Sequence, residues 1–262
     1  MTPWSSMSNV RVDSYLNVNS RREINEIFCR NLGVKVQSVI ILLPPSEGKV
    51  SGGNGVWKPA QGSFGAKLGA TRSEVISALQ STSAAALKVR GATAEHALAA
   101  NASIIGSPSL PAFERYSGVV YQGLDFESLS ERERSVALES VLVVSGLGGL
   151  VAFGDKVPDY RAPMDASVTG LGKLSAFWRP HLDPIMQRLS RDHVIIDLLP
   201  QVHRAAITPT EQNWVSVNLR HRDGLGGHAA KHAKGELARW LLRHDISSLS
   251  RWRSDGWTAR AS

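Results

Sequence analysis

Ser38-Val39-Ile40-Ile41-Leu42-Leu43, stopped by Pro44-Pro45, is the stretch from which the fold is read. A short, β-branched apolar run closed by two prolines reads as a buried strand. The folded part of the chain begins with it. Residues 1–36 are polar, mix Ser, Asn and Arg, and show weak periodicity. They read as an N-terminal extension whose composition leaves it free to be disordered, with a short helix near Glu23 to Arg30 as its one candidate element. Residues 37–262 are the domain.

Downstream of the first strand a loop rich in Gly, Ser and Lys runs from Ser46 to about Ala70. Thr71-Arg72-Ser73-Glu74 is expected to open a helix, because Thr71 or Ser73 can cap it and Val75, Ile76 and Leu79 give helical spacing. A second, alanine-rich helix is expected over Thr93 to Ala102. Val119-Val120-Tyr121 reads as a strand. Ser130-Glu131-Arg132-Glu133 is a capping-box start for a helix running to about Ser140. Val141 to Val144 is a buried strand that ends in Ser145-Gly146-Leu147-Gly148-Gly149. A helix over Leu174 to Leu189 follows, then strands at Val194-Ile195-Ile196 and at Trp214 to Leu219, and a last long helix from His228 to His244. Strands alternate with helices, so the fold class is α/β (α+β): a mixed sheet with helices packed on it.

Composition bounds the function. The 262 residues suffice for one large domain. No apolar run reaches the roughly 18 residues of a membrane span. The N-terminus lacks an apolar core before a cleavage site, and Arg21-Arg22 lacks the apolar stretch of a twin-arginine signal. The single cysteine, Cys29, excludes an internal disulfide and a Cys-based zinc site. These features fit a reducing cytoplasm. Net charge is +7, a balance that favours polyanions such as nucleic acid. From Gln201 to Ser262 ten Lys/Arg stand against five Asp/Glu, so +5 of that charge lies in this stretch, with five of the eight histidines.

Three glycine-bearing turns are candidate phosphate sites. Ser46-Glu47-Gly48-Lys49 follows a strand, but Leu43 stands where a P-loop needs its first glycine and Val50 where it needs Ser or Thr. A lysine and backbone N–H groups at a strand end can still hold an anion. Gly146-Leu147-Gly148-Gly149 lacks the third glycine of a dinucleotide fingerprint, since Val151 occupies it, and Pro158 forbids a long helix there. Gly224-Leu225-Gly226-Gly227 is the strongest, because it runs into a basic helix whose N-terminus adds partial positive charge. At about 100° per residue, His228, His232, Arg239 and Arg243 share one face, flanked by Lys231 and Lys234. Ala233, Leu237, Trp240 and Leu241 form the core-facing stripe. In the loop Asp159-Tyr160-Arg161, an arginine can fork onto a carboxylate or phosphate. The candidate anion- or DNA-binding set is therefore Lys49, Tyr160, Arg161, His228, Lys231, Lys234, Arg239 and Arg243.

Several of these segments together resemble the YaaA peroxide-stress family in its actinobacterial style, from about Ser38 to Trp257. The landmarks are Leu42-Leu43-Pro44-Pro45-Ser46-Glu47-Gly48-Lys49 and Tyr116-Ser117-Gly118-Val119-Val120-Tyr121-Gln122-Gly123-Leu124. They continue with Pro158-Asp159-Tyr160-Arg161 and Met164, Ala176-Phe177-Trp178-Arg179-Pro180, and Lys231-His232-Ala233-Lys234-Gly235 before Leu237-Ala238-Arg239. The resemblance implies a single compact domain with a basic cleft. It implies a cytosolic protein of peroxide resistance that limits free iron and DNA damage. It also implies DNA binding helped by a helix-hairpin-helix-like element, here the Lys231–Arg243 helix, the turn near His244-Asp245, and Ile246 to Trp252. Such an element grips phosphates without reading sequence. The chain departs from the family pattern at Gly148, at Ala152-Phe153, and from Asp197 to His203.

Two partner classes follow: DNA, or a small anionic, nucleotide-like ligand on which the protein acts as an enzyme, with Glu47 or His228 as base. A third reading, iron held by His228 and His232 at i and i+4, lacks the further ligands a site needs. No cofactor, resident metal or membrane is expected. The oligomeric state stays open.

Overall fold

The first strand is where the sequence places it, and the rest of the sheet grows from its two sides. The structure, a computed structural model, describes residues 38–261. The N-terminal extension, its candidate helix and Cys29 lie outside the described residues. Strand β1 (Ser38–Leu43) carries Ile41, Leu42 and Leu43 with no exposed surface. That burial is possible only with a strand on each side and cover on both faces. The elements that follow are α1 (Gly65–Gln80), α2 (Ala92–Ala102), β2 (Ser109–Pro111), α3 (Ala112–Arg115), α4 (Val119–Leu124), α5 (Glu131–Ser140), β3 (Val141–Ser145), β4 (Gly149–Ala152) and β5 (Lys156–Pro158). Then come β6 (Ser167–Val168), β7 (Gly172–Lys173), α6 (Leu174–Asp192), β8 (His193–Asp197), α7 (Gln201–Arg204), β9 (Trp214–His221), α8 (Gly227–Leu241), a 3-10 helix over Ile246–Arg251, β10 (Arg253–Ser254) and β11 (Trp257–Ala261).

Among the described residues one seven-stranded sheet runs in the order β10-β11-β9-β8-β1-β3-β4. Its centre is parallel: β1 pairs with β3 and with β8, and β8 with β9. The margins are antiparallel, β3 with β4 on one side and β9 with β11 and β10 on the other. The sheet is therefore mixed, as the alternation of elements predicted. Leu42 sits opposite Leu142 and Asp197, so the carboxyl ends of three parallel strands, at Leu43, Ser145 and Asp197, come out at one edge. In open α/β sheets that edge is where ligands bind.

One strand reading and one helix start differ in the structure. Val119-Val120-Tyr121 is the first part of α4, not a strand. Its β-branched residues prefer strands only weakly, and here tertiary packing against α8 decides. The two helices touch at glycines: a Cβ on Gly123 would run into the carbonyl oxygen of His232, and one on Gly235 into that of Val120. Thr71 and Ser73 lie inside α1 rather than at its start. The helix begins at Gly65, whose N–H bonds to the carbonyl of Gly62 at 2.9 Å, and Leu68 is buried in the added turns. By contrast, the capping box at Ser130 and Glu133 forms as predicted. No helix among the described residues is long and apolar enough to cross a membrane.

Candidate functional site

Lys49 is positioned by backbone rather than by its own contacts. After Leu43 the chain turns through Pro44, whose carbonyl accepts the Tyr121 hydroxyl at 2.8 Å. It then lies against the end of α3. Val50 N–H donates to the Arg115 carbonyl at 2.9 Å, Ser117 N–H to the Gly48 carbonyl at 3.2 Å, and Lys49 bridges Tyr116. Arg115, 1% exposed, locks this splint: its guanidinium donates to the carbonyls of Val157, Gly52, Pro108 and Val50. A buried guanidinium needs this degree of satisfaction, since each unmet group is costly.

Held in this way, the Lys49 ammonium sits 4.4 Å from the centre of the Tyr160 ring. Below the ring runs a chain of hydroxyls: Tyr160 bonds Tyr116 at 2.9 Å and Ser145, at the end of β3, at 2.8 Å. Burial raises the pKa of both phenols, so they stay protonated. Next along, Arg161 is clamped by Asn101: its backbone N–H donates to Oδ1 at 2.8 Å and its carbonyl accepts Nδ2 at 2.9 Å. Its guanidinium pairs with Glu47 at 3.1 Å, with side-chain exposures of 16% and 80%. An ion pair with one partner so exposed contributes about 1 kcal/mol or less.

The end of β8 supplies the other half. Asp197, fully buried, accepts Leu199 N–H at 2.8 Å and pairs with Arg204 at 2.5 Å. Lys234 reaches over from α8 and donates to the Leu198 carbonyl at 2.9 Å. His203 lies in the short helix after Pro200 and feels the charges of Asp165, Lys234 and Glu47. Burial is the main reason its pKa falls to about 4, which leaves the imidazole neutral at pH 7. Burial likewise lowers Lys49 to about 8, with Arg161 and Arg115 adding to the effect and Asp159 and Glu47 opposing it. Lys234 is lowered by burial and by Arg204. Cations whose charge is destabilised in this way gain from a bound anion.

The structure thus brings Lys49, Tyr160 and Arg161 together, and holds Lys234 at the end of β8. His228 and Lys231 are exposed on the first turns of α8. The other cations of that helix are engaged by protein. Arg239 donates to the carbonyls of Leu124 at 3.0 Å and Asp125 at 2.8 Å, and Arg243 pairs with Glu133. His232 stands 3.6 Å from Glu236. Tyr160 turns its hydroxyl into the core and offers only its ring. At the Gly224–Gly227 turn a Cβ on Gly224, Gly226 or Gly227 would meet open space. The turn following β3 packs: Gly148 N–H bonds Ser145 and its carbonyl accepts buried Arg72. Phe153 stacks edge-on with Phe126 in the core. The segment after α8 is capped by Asp245 and continues as a 3-10 helix. Among the described residues no three His, Cys, Asp or Glu side chains converge as a metal site.

Arg115, Asn101, Asp197 and Arg204 escaped sequence reading. Most partners of Arg115 and Asn101 lie far away in the chain, as Arg161 does from Asn101, and although Asp197 and Arg204 are only seven residues apart, no motif marks the pair.

With this geometry in place, comparison with known proteins is informative. A family model described as peroxide stress protein YaaA matches residues 39–261. A UPF0246 protein of Streptomyces coelicolor is 32% identical over 215 residues, covering 78% of this chain and 83% of the relative. One from Corynebacterium glutamicum is 32% identical over 216 residues, covering 78% and 84%. A more distant one from Fusobacterium nucleatum is 26% identical over 145 residues, covering 53% and 58%.

Proposed function

The chain belongs to the peroxide stress protein YaaA family, and on that premise we propose that it acts in the cytoplasm by binding DNA without sequence preference. In this reading it limits oxidative damage by lowering free iron. The carboxyl-edge cluster is the cleft that takes phosphate. Lys49, Arg161 and Lys234 are its cations, and His228 and Lys231 extend the basic surface along α8. The α8 helix, the Asp245 turn and the 3-10 helix serve as a second grip on the backbone. One observation supports this reading above the others: Lys49, in the segment after β1, and Lys234, held at the end of β8, are cations from separate elements whose charges burial destabilises, with Arg161 acting on Lys49. Backbone phosphates are what such a cluster neutralises, and phosphate contacts carry no sequence information.

The test is a titration of fluorescently labelled duplex at 50 and 200 mM salt, with two unrelated sequences. The expected result is binding of both with similar affinity and a steep loss at the higher salt. Absence of binding at 50 mM salt would reject the reading.

A further inference from the structure

The Lys49 amine is held in place with little to satisfy its charge. It lies 4.4 Å from the centre of the Tyr160 ring, and among the described residues its one hydrogen bond is a long one, 3.4 Å to the Glu47 carbonyl. Among those residues it forms no ion pair, and the Glu47 carboxylate goes instead to Arg161 at 3.1 Å. Other lysines are better served. Lys88 pairs with Asp165, Lys156 donates to the Asn54 carbonyl at 2.8 Å, and Lys234 donates to the Leu198 carbonyl at 2.9 Å. Lys49 is nonetheless within reach of solvent: it is partly exposed, and Glu47, Gly48 and Val50 around it are exposed. Its backbone is fixed by the bridge to Tyr116, so the amine is presented on an aromatic face rather than swinging free.

This is the setting of a nucleophilic lysine rather than of a solvated cation. A lysine whose charge is destabilised by desolvation and by neighbouring cations holds a neutral amine that adds to carbonyls. With a pKa lowered to about 8, mainly by burial, roughly a tenth of Lys49 is neutral at pH 7, against less than about one in a thousand for an ordinary lysine. Intact DNA carries no aldehyde, but an abasic site does, at C1′ of its open-chain deoxyribose. With no base left to unstack, that sugar turns out of the duplex at low cost. We propose that Lys49, presented on the Tyr160 ring, is a nucleophile toward the aldehyde of abasic DNA. The amine lone pair forms a bond to C1′, the two amine hydrogens pass to the aldehyde oxygen, and that oxygen leaves as water, so that an imine joins Nζ to the sugar. The inference rests on the DNA-binding reading and adds a covalent step to it.

The test is reductive trapping. The full chain is mixed with a labelled duplex carrying one abasic site, and separately with 2-deoxyribose 5-phosphate, each with sodium cyanoborohydride to turn an imine into a stable amine. The expected product is a protein–DNA adduct that peptide mass spectrometry maps to Lys49. Lys49→Arg keeps the charge and is expected to bind abasic duplex much as wild type does, yet to give about tenfold less adduct or lower still, because a guanidinium is no such nucleophile. Lys88→Arg is expected to give the wild-type yield. Abasic duplex that binds without forming adduct, adduct mapped to another amine, or a wild-type yield from Lys49→Arg overturns the proposal. Should Lys49→Arg fail to fold, the mapped position of the wild-type adduct decides. If no duplex binds while 2-deoxyribose 5-phosphate still labels Lys49, the DNA-binding reading fails and the nucleophile stands. If intact duplex binds and neither aldehyde labels Lys49, the nucleophile fails and DNA binding stands.

Discussion

Tyr160 shows how one side chain can tie the core together and also carry a residue of the proposed binding site. Its hydroxyl ties Tyr116 to Ser145 while its ring face lies under Lys49. Tyr160→Phe keeps the ring, leaves the buried Tyr116 hydroxyl without its Tyr160 bond and takes one of two partners from Ser145. It is expected to lower stability by about 1–2 kcal/mol while leaving duplex affinity within about twofold, as read by chemical denaturation and titration. Lys49 carries a pH signature. Its pKa, lowered mainly by burial to about 8, means the positive charge is present below pH 8 and lost above it. Anion affinity is therefore expected to fall about fivefold between pH 7 and 9 at fixed ionic strength. Lys49→Arg, which holds its charge throughout, is expected to flatten that profile. A wild type with no pH dependence would place the ammonium outside the binding surface. Lys49 and Arg161 could be named from sequence because a lysine at a strand end and an arginine in a proline-led loop have local signatures. Arg115 and Asn101 could not, because what makes them matter is a set of partners distant in the chain.

At the scale of elements, the α4–α8 contact places Lys234. Gly123 and Gly235 let two helix backbones meet, and Gly235 follows directly on the lysine that reaches the Leu198 carbonyl. Gly235→Ala is expected to force the helices apart, costing about 3 kcal/mol or more, with the loss of Tm measured by calorimetry. An unchanged Tm would mean that the helices are not in backbone contact. This pairing also explains the misreading of Val119–Tyr121. Three residues with strand preference between glycines cannot resist a helix partner that approaches this closely. The capping box at Ser130 was legible for the opposite reason: all its groups lie within four residues. The amphipathic face of α8 was legible as a pattern, and its buried stripe of Ala233, Leu237 and Leu241 is observed. What the pattern could not convey is that Arg239 and Arg243 serve neighbouring elements, since helical periodicity says which face is polar and not what covers it.

For the whole molecule, the parallel centre of the sheet brings β1, β3 and β8 out at one edge, and two buried arginines hold the connecting segments over it. Arg72 binds the loop before α1 to the β3–β4 turn, and Arg115 binds the Lys49 segment to β5. The basic balance of the sequence, +7 overall, is in this account a field that gathers polyanions, while the edge cluster supplies the contacts. The most direct test of that division is duplex binding by a Lys49→Met, Arg161→Met double variant, with its fold confirmed by circular dichroism. The account predicts at least a tenfold loss of affinity at low salt and a salt slope reduced by about two phosphate contacts. A double variant that binds duplex with wild-type affinity and slope would contradict it and locate binding elsewhere on the basic surface.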